Sequence, residues 1–117
     1  MRNQKITNRD RLGHIIDALS AIEEFVGSSS KSSFLNDKKT IDATLFQFAV
    51  IGEAICHIDE EILEKYDFPW YKVRALRNFI LHEYHAIEDV VIWETVKKDV
   101  PLLKKMIERI LKNEFRA

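Results

Sequence analysis

"IDATLFQFAVIGEAICHI", residues 41–58, is the stretch on which the fold turns. Ile41, Leu45, Phe48, Ile51, Ile55 and Ile58 follow one another at steps of three and four residues, or close to it, which draws one face of a helix. Phe46, Val50 and Ala54 widen that face beyond the width one neighbour covers. A helix that is apolar on more than one side belongs inside a bundle, with partners on both flanks.

The flanking sequence supplies those partners. Toward the N-terminus, Thr7 and Asp10 have the spacing of a capping box, so a helix is expected to begin after Thr7 or Asn8. Leu12, Ile15, Ile16, Leu19, Ile22 and Phe25 form its apolar stripe, and Gly27 is a natural stop. "GSSSKSS", residues 27–33, reads as a loop, followed by a short helical turn around Phe34 and a new helix start near Asp37. Toward the C-terminus, "DEEILEKYDF" is a short helical piece or an irregular connection. Pro69 suits a first helical position, and a helix is expected from about Pro69 to Tyr84. The last helix starts near Glu88 or Asp89 and carries Val90, Ile92, Trp93, Val96 and Val100. Pro101 should kink or briefly break it before Leu102, Leu103, Met106, Ile107, Ile110 and Leu111 resume the pattern. With three glycines and two prolines in 117 residues, the chain predicts a single all-α domain over residues 1–117, an up-and-down bundle of about four or five helices.

Composition narrows the function classes. A formal net charge of -1 does not advertise a nucleic-acid binder, so any nucleic acid would need a local basic patch. Cys56 is the one cysteine, which excludes an internal disulfide, and its expected role is that of a small buried apolar side chain. "MRNQKITNRDRLGHII" has no long apolar run and no stretch is long enough to span a bilayer, so a soluble cytoplasmic protein is the expectation.

"RNFILHEY", residues 77–84, is the stretch that bears on function. At about 100° per residue, Val73, Leu76, Phe79 and Ile80 fall on one apolar arc of the helix. Arg77, Asn78, His82 and Tyr84 fall on the opposite arc, with Trp70, Arg74, Leu81 and His85. Trp, Tyr and Arg are enriched where protein surfaces meet. Two readings follow: this side is covered by another copy or a partner, or it packs on the chain's own last helix. His82 can exchange a proton near neutral pH, and Arg77 offers a fork of donors suited to phosphate oxygens. Asn78, about one turn before His82, can orient the ring or bind an oxygen. RNA cleavage needs a base, an acid and a cation, and two such faces meeting in a dimer would supply all of them. Glu53 is an acidic residue within an apolar run: a buried partner for Arg77 or Arg74, or a cap or solvent-facing group. Lys72, Arg74, Lys97 and Lys98 form either a basic rim or ordinary solvated faces, and His14 and His57 are expected to be core or surface histidines.

With "RNFILHEY", "IGEA", "PW" and "VIWET" in order, nearly the whole chain resembles the HepT-like toxins of the HEPN superfamily, small helical ribonucleases with an R-x-x-x-x-H-x-Y motif. The resemblance implies a homodimeric bundle whose two motifs line a shared cleft, and metal-independent endoribonuclease activity with no cofactor. It implies a type VII toxin–antitoxin pairing with a minimal nucleotidyltransferase that attaches AMP to the motif tyrosine. Carried over, Arg77 and His82 are the catalytic pair, Asn78 is supporting and Tyr84 is the modification site, while His85 is auxiliary or structural. The alternative is a non-catalytic helical module that docks a nucleotidyltransferase.

Overall fold

The computed structural model describes residues 6–115. The absence of an apolar leader, read from residues 1–16, rests in part on residues outside that range. The described residues form helices joined by turns, with no strand among them. The order is α1 (Asn8–Val26), α2 (Lys31–Leu35), α3 (Lys38–Cys56), α4 (Glu60–Leu63), α5 (Trp70–Glu83), α6 (Asp89–Glu94) and α7 (Val100–Phe115). A 3-10 turn, Tyr84–Ala86, follows α5, and a π turn, Thr95–Asp99, joins α6 to α7. No helix among the described residues is long and apolar enough to cross a membrane.

The helix ends lie where the capping chemistry puts them. The Thr7 hydroxyl accepts from the Asp10 amide at 3.1 Å, and the Asp10 carboxylate accepts from the Thr7 amide at 3.0 Å, completing the capping box. Gly27 ends α1 with φ 52, a conformation that favours glycine. Asp37 caps α3 by accepting from the Thr40 amide at 3.1 Å. Pro69 stands one place earlier than expected, at the cap before Trp70 rather than in the first turn.

α3 is the central element, as its broad apolar face requires, and packs between α1 and α5. α1 also packs on α7. Glu53 pairs with Arg77, and the Cys56 thiol lies 3.8 Å from the Arg74 carbonyl, so α3 and α5 run antiparallel. The Asn8 side chain bonds Asp59, just past the C-terminal end of α3, which makes α1 and α3 antiparallel as well. This is the up-and-down arrangement. Leu12, Ile15, Leu19, Ile22, Ile51, Ile55, Ile107 and Ile110 are fully buried between these helices. Thr44, the buried polar side chain of the core, donates its hydroxyl to the Thr40 carbonyl at 2.8 Å.

Pro101 does not break the last helix. The Val100 amide reaches back to the Thr95 carbonyl across the wider π turn. That turn takes up the irregularity just ahead of the proline, which has no amide to donate, and the helix continues into α7. Cys56 is exposed rather than buried, because it closes α3 on the side away from the core. Phe46, expected to widen the core stripe, is 65% exposed.

α3 and α5 approach so closely that a side chain does not fit between them. A Cβ built on Gly52 would stand 2.6 Å from the Arg77 amide nitrogen, 3.1 Å from the Leu76 Cβ and 3.2 Å from the Val73 carbonyl oxygen. The glycine of "IGEA" thus sets the distance between the central helix and the motif helix.

Candidate functional site

α5 contributes a narrow stripe to the core. Trp70 and Val73 are buried, Leu76 and Ile80 are partly buried, and Phe79, expected on the core side, is 48% exposed. The cause is that α5 packs chiefly on α3, so one neighbour covers one narrow arc and Phe79 falls beside it. Trp70 behaves in the opposite way. It was expected on the polar side, but its indole Nε1 donates to the Leu63 carbonyl at 3.0 Å and the Tyr66 carbonyl at 3.1 Å. Its ring lies 4.9 Å from that of Phe68. The connection after α4 folds over it and satisfies its polar end.

Arg77 is held by two neighbours. Its Nε forms an ion pair with the Glu53 carboxylate, 2.9 Å from one carboxylate oxygen, and its Nη1 donates to the Asn78 side-chain oxygen at 3.2 Å. The other Glu53 oxygen lies 2.9 Å from His57 Nε2, one turn along α3. The His57 hydrogen bond and, after it, the Arg77 charge hold the Glu53 carboxyl below its usual range. Glu53 is therefore the partner of Arg77, half exposed, while Arg74 pairs with Glu60. His57 is a surface residue serving that carboxylate.

Arg77 lines a groove of about 350 Å³ between α1, α3 and α5. Arg11 and His14 reach it from α1, Phe46, Val50 and Glu53 from α3, and Leu81 from α5. It joins cationic and apolar side chains on one open surface. Leu81 is 52% exposed there. Asn78 lies beside Arg77, and His82 is exposed near the end of α5.

Tyr84 departs from the helical wheel. A continuous helix would put it about 20° from Arg77. α5 ends at Glu83, whose φ of -126 leaves the helical region, and Tyr84 opens the 3-10 turn instead. It is 68% exposed, stands edge-on to His85 at 5.9 Å, and lines a separate hollow with Lys38, Asp42, Leu45 and Ile87. The sequence-expected residues thus divide into a linked pair, Arg77 and Asn78, and two exposed groups, His82 and Tyr84, further along. Glu53 is the partner that spacing alone left undecided. The signal was present as a lone carboxylate in an apolar run.

The family model described as ribonuclease HepT-like matches residues 15–110, which takes in the central helix, the motif helix and most of the last helix. The chain belongs to the HepT-like ribonuclease family. A HepT-like relative from Thermococcus cleftensis, named a probable ribonuclease HepT, is 34% identical over 109 residues, covering 92% of this chain and 99% of that one. A second, from Caldanaerobacter subterraneus subsp. tengcongensis, named as a candidate RNase, is 32% identical over 109 residues and covers 92% and 97%. A third, from Methanocaldococcus jannaschii, bears a name joining a gamma-glutamylcyclotransferase to a candidate RNase. The HepT-like chain is 34% identical to it over 101 residues and spans 46% of its length. No solved structure matches the chain significantly.

Proposed function

We propose that this HepT-like protein is the toxin of a type VII toxin–antitoxin pair, a homodimeric, metal-independent endoribonuclease acting on cellular RNA in the cytoplasm. In this reading Arg77 and His82 are the catalytic pair and Asn78 supports Arg77. The observation that carries it, beside the family, is the groove in which Arg77 stands next to exposed Phe46 and Leu81. Apolar side chains around a cation suit a face that a second copy covers, which brings two Arg–His sets to one cleft. A histidine takes the 2′-hydroxyl proton, the 2′-oxygen attacks phosphorus, and the bond to the 5′-oxygen breaks. A second histidine returns a proton to that leaving oxygen, while arginine offsets the charge gathering on the phosphorane-like transition state.

Tyr84 is the proposed off switch. Its exposed hydroxyl attacks the α-phosphorus of a nucleoside triphosphate held by the cognate nucleotidyltransferase, pyrophosphate leaves, and the phenol loses its proton. The AMP left on Tyr84 adds a phosphate and a nucleoside two residues past His82, and in this reading it obstructs RNA by charge and bulk from that end of the motif.

Co-expression with a cognate nucleotidyltransferase is expected to add one or more AMP masses to the intact protein. Tyr84→Phe should remain unmodified and keep arresting growth with that partner present. Modification that persists in Tyr84→Phe would remove the tyrosine from this role. A purified chain that binds the nucleotidyltransferase yet leaves RNA intact would favour the non-catalytic docking module.

A further inference from the structure

Glu53 lies outside the motif helix, and the reaction just described does not use it. It nevertheless makes the closest polar contact to Arg77, through Nε at 2.9 Å, and is itself bonded to His57 at 2.9 Å. The contact uses the side of the guanidinium. Asn78 takes one hydrogen of Nη1. The second Nη1 hydrogen and both on Nη2 are unclaimed among the described residues, so the guanidinium keeps donors that can take phosphate oxygens. A carboxylate at Nε and a phosphate at the Nη end are compatible on one arginine.

We infer that Glu53, anchored by His57, is a positioning residue for Arg77: it fixes the guanidinium so that its remaining donors face the RNA phosphate. The inference rests on the ribonuclease reading above and deepens it. An arginine side chain has several rotatable bonds, and on the surface it would sample many directions. Held at Nε from α3 and at Nη1 by its neighbour, it has few. The Gly52 contact completes the frame by pinning the Arg77 backbone to the same turn of α3 that carries Glu53. His57 uses its bond to hold the carboxylate, so the support extends one turn further along α3.

The surrounding charge predicts how the effect divides. Arg11 from α1 adds its field to Glu53, and His14 lines the same groove. Removing the carboxylate makes the groove more positive, which should leave RNA binding unchanged or tighter. The loss should fall on the chemical step, where the direction of the arginine matters, because charge grows on the phosphorane-like transition state rather than on bound RNA. Positioning and competition therefore give opposite signs. A positioning Glu53 raises kcat, whereas a Glu53 that merely occupies Arg77 in place of phosphate lowers kcat/KM.

The test is cleavage kinetics of Glu53→Gln and Glu53→Ala beside wild type and Arg77→Ala. The expected result is kcat lower by about 10-fold or more, with KM equal or lower. Because the pair is half exposed, melting temperature should move by about 4 °C or less. His57→Gln, which leaves Glu53 in place, should give a smaller loss in kcat of the same kind. Unchanged kcat in both Glu53 variants, or a rise in kcat/KM, overturns the inference. If wild-type protein cleaves no RNA, the ribonuclease reading fails by itself. The positioning contact is then read by NMR relaxation, as an Arg77 Nε that is more restricted in wild type than in Glu53→Ala. Equal mobility in the two proteins overturns it.

Discussion

Replacing His82 with alanine is expected to lower RNA cleavage by about 10²–10⁴-fold, the range for losing a positioned proton-transfer group. His82 is exposed near the end of α5 and contributes nothing to the core, so the fold should survive the change. Thermal melting of the variant should overlay that of wild type. Growth arrest on induction should disappear together with the cleavage. Arg77→Ala should give a comparable loss, about 10²–10³-fold, since it removes the cation opposite the developing charge. The two substitutions act on one reaction, so their combination should cost little more than the worse of them. Kinetics on purified protein decide this, and His82→Ala cleaving at the wild-type rate would remove it from the catalytic pair.

Gly52→Ala carries the largest expected effect on stability. In an ordinary helix interior, alanine in place of glycine stabilises by about 1 kcal/mol. Here the new Cβ would meet the Arg77 amide nitrogen at 2.6 Å, and that atom is backbone on a neighbouring helix, not the end of a flexible side chain. α3 and α5 must separate, which opens the contacts of Val73 and Leu76 with the core. Overpacking of this kind costs about 1–3 kcal/mol, occasionally more. Gly52→Val should be worse, since its branched side chain needs more room. Because Arg77 is the residue displaced, activity should fall as well, beyond what the loss of folded protein explains. Urea or thermal unfolding measures the first effect. A Gly52→Ala protein more stable than wild type would mean that α3 and α5 do not meet this closely.

Much of the fold was legible because local chemistry marks helix ends. Thr7 with Asp10, Gly27 and Asp37 each satisfy or redirect backbone groups by themselves, so their positions needed no knowledge of the rest. The broad face of α3 likewise announced a central helix. Periodicity failed where coverage depends on what lies opposite. A wheel treats the helix as an isolated cylinder, and it could not tell that α5 would have one principal neighbour, leaving Phe79 exposed. Nor could it show that the segment after α4 would fold over Trp70 and accept from its indole. The wheel also assumed that α5 runs to Tyr84, whereas the break at Glu83 moves the tyrosine into a different hollow from the arginine.

The candidate site was legible in its residue types and less so in its connections. Arg77, Asn78 and His82 stood out as phosphodiester chemistry on a helix. Their support did not, because Glu53 is 24 residues away in sequence (77 − 53) and its partner is fixed by the antiparallel packing of α3 on α5. Gly52 beside it had a sequence signal of its own. A glycine inside an otherwise apolar helix costs stability unless something needs the space, and the motif helix needs it.

Under the proposed function, RNA cleavage runs through Arg77 and His82 without a metal. The most direct measurement is incubation of the purified protein with RNA in a chelating buffer, with the ends of the products mapped chemically. Cleavage is expected to leave 2′,3′-cyclic phosphate and 5′-hydroxyl ends, and to disappear in Arg77→Ala and His82→Ala. Intact RNA, 5′-phosphate ends, or equal cleavage by those variants would contradict it.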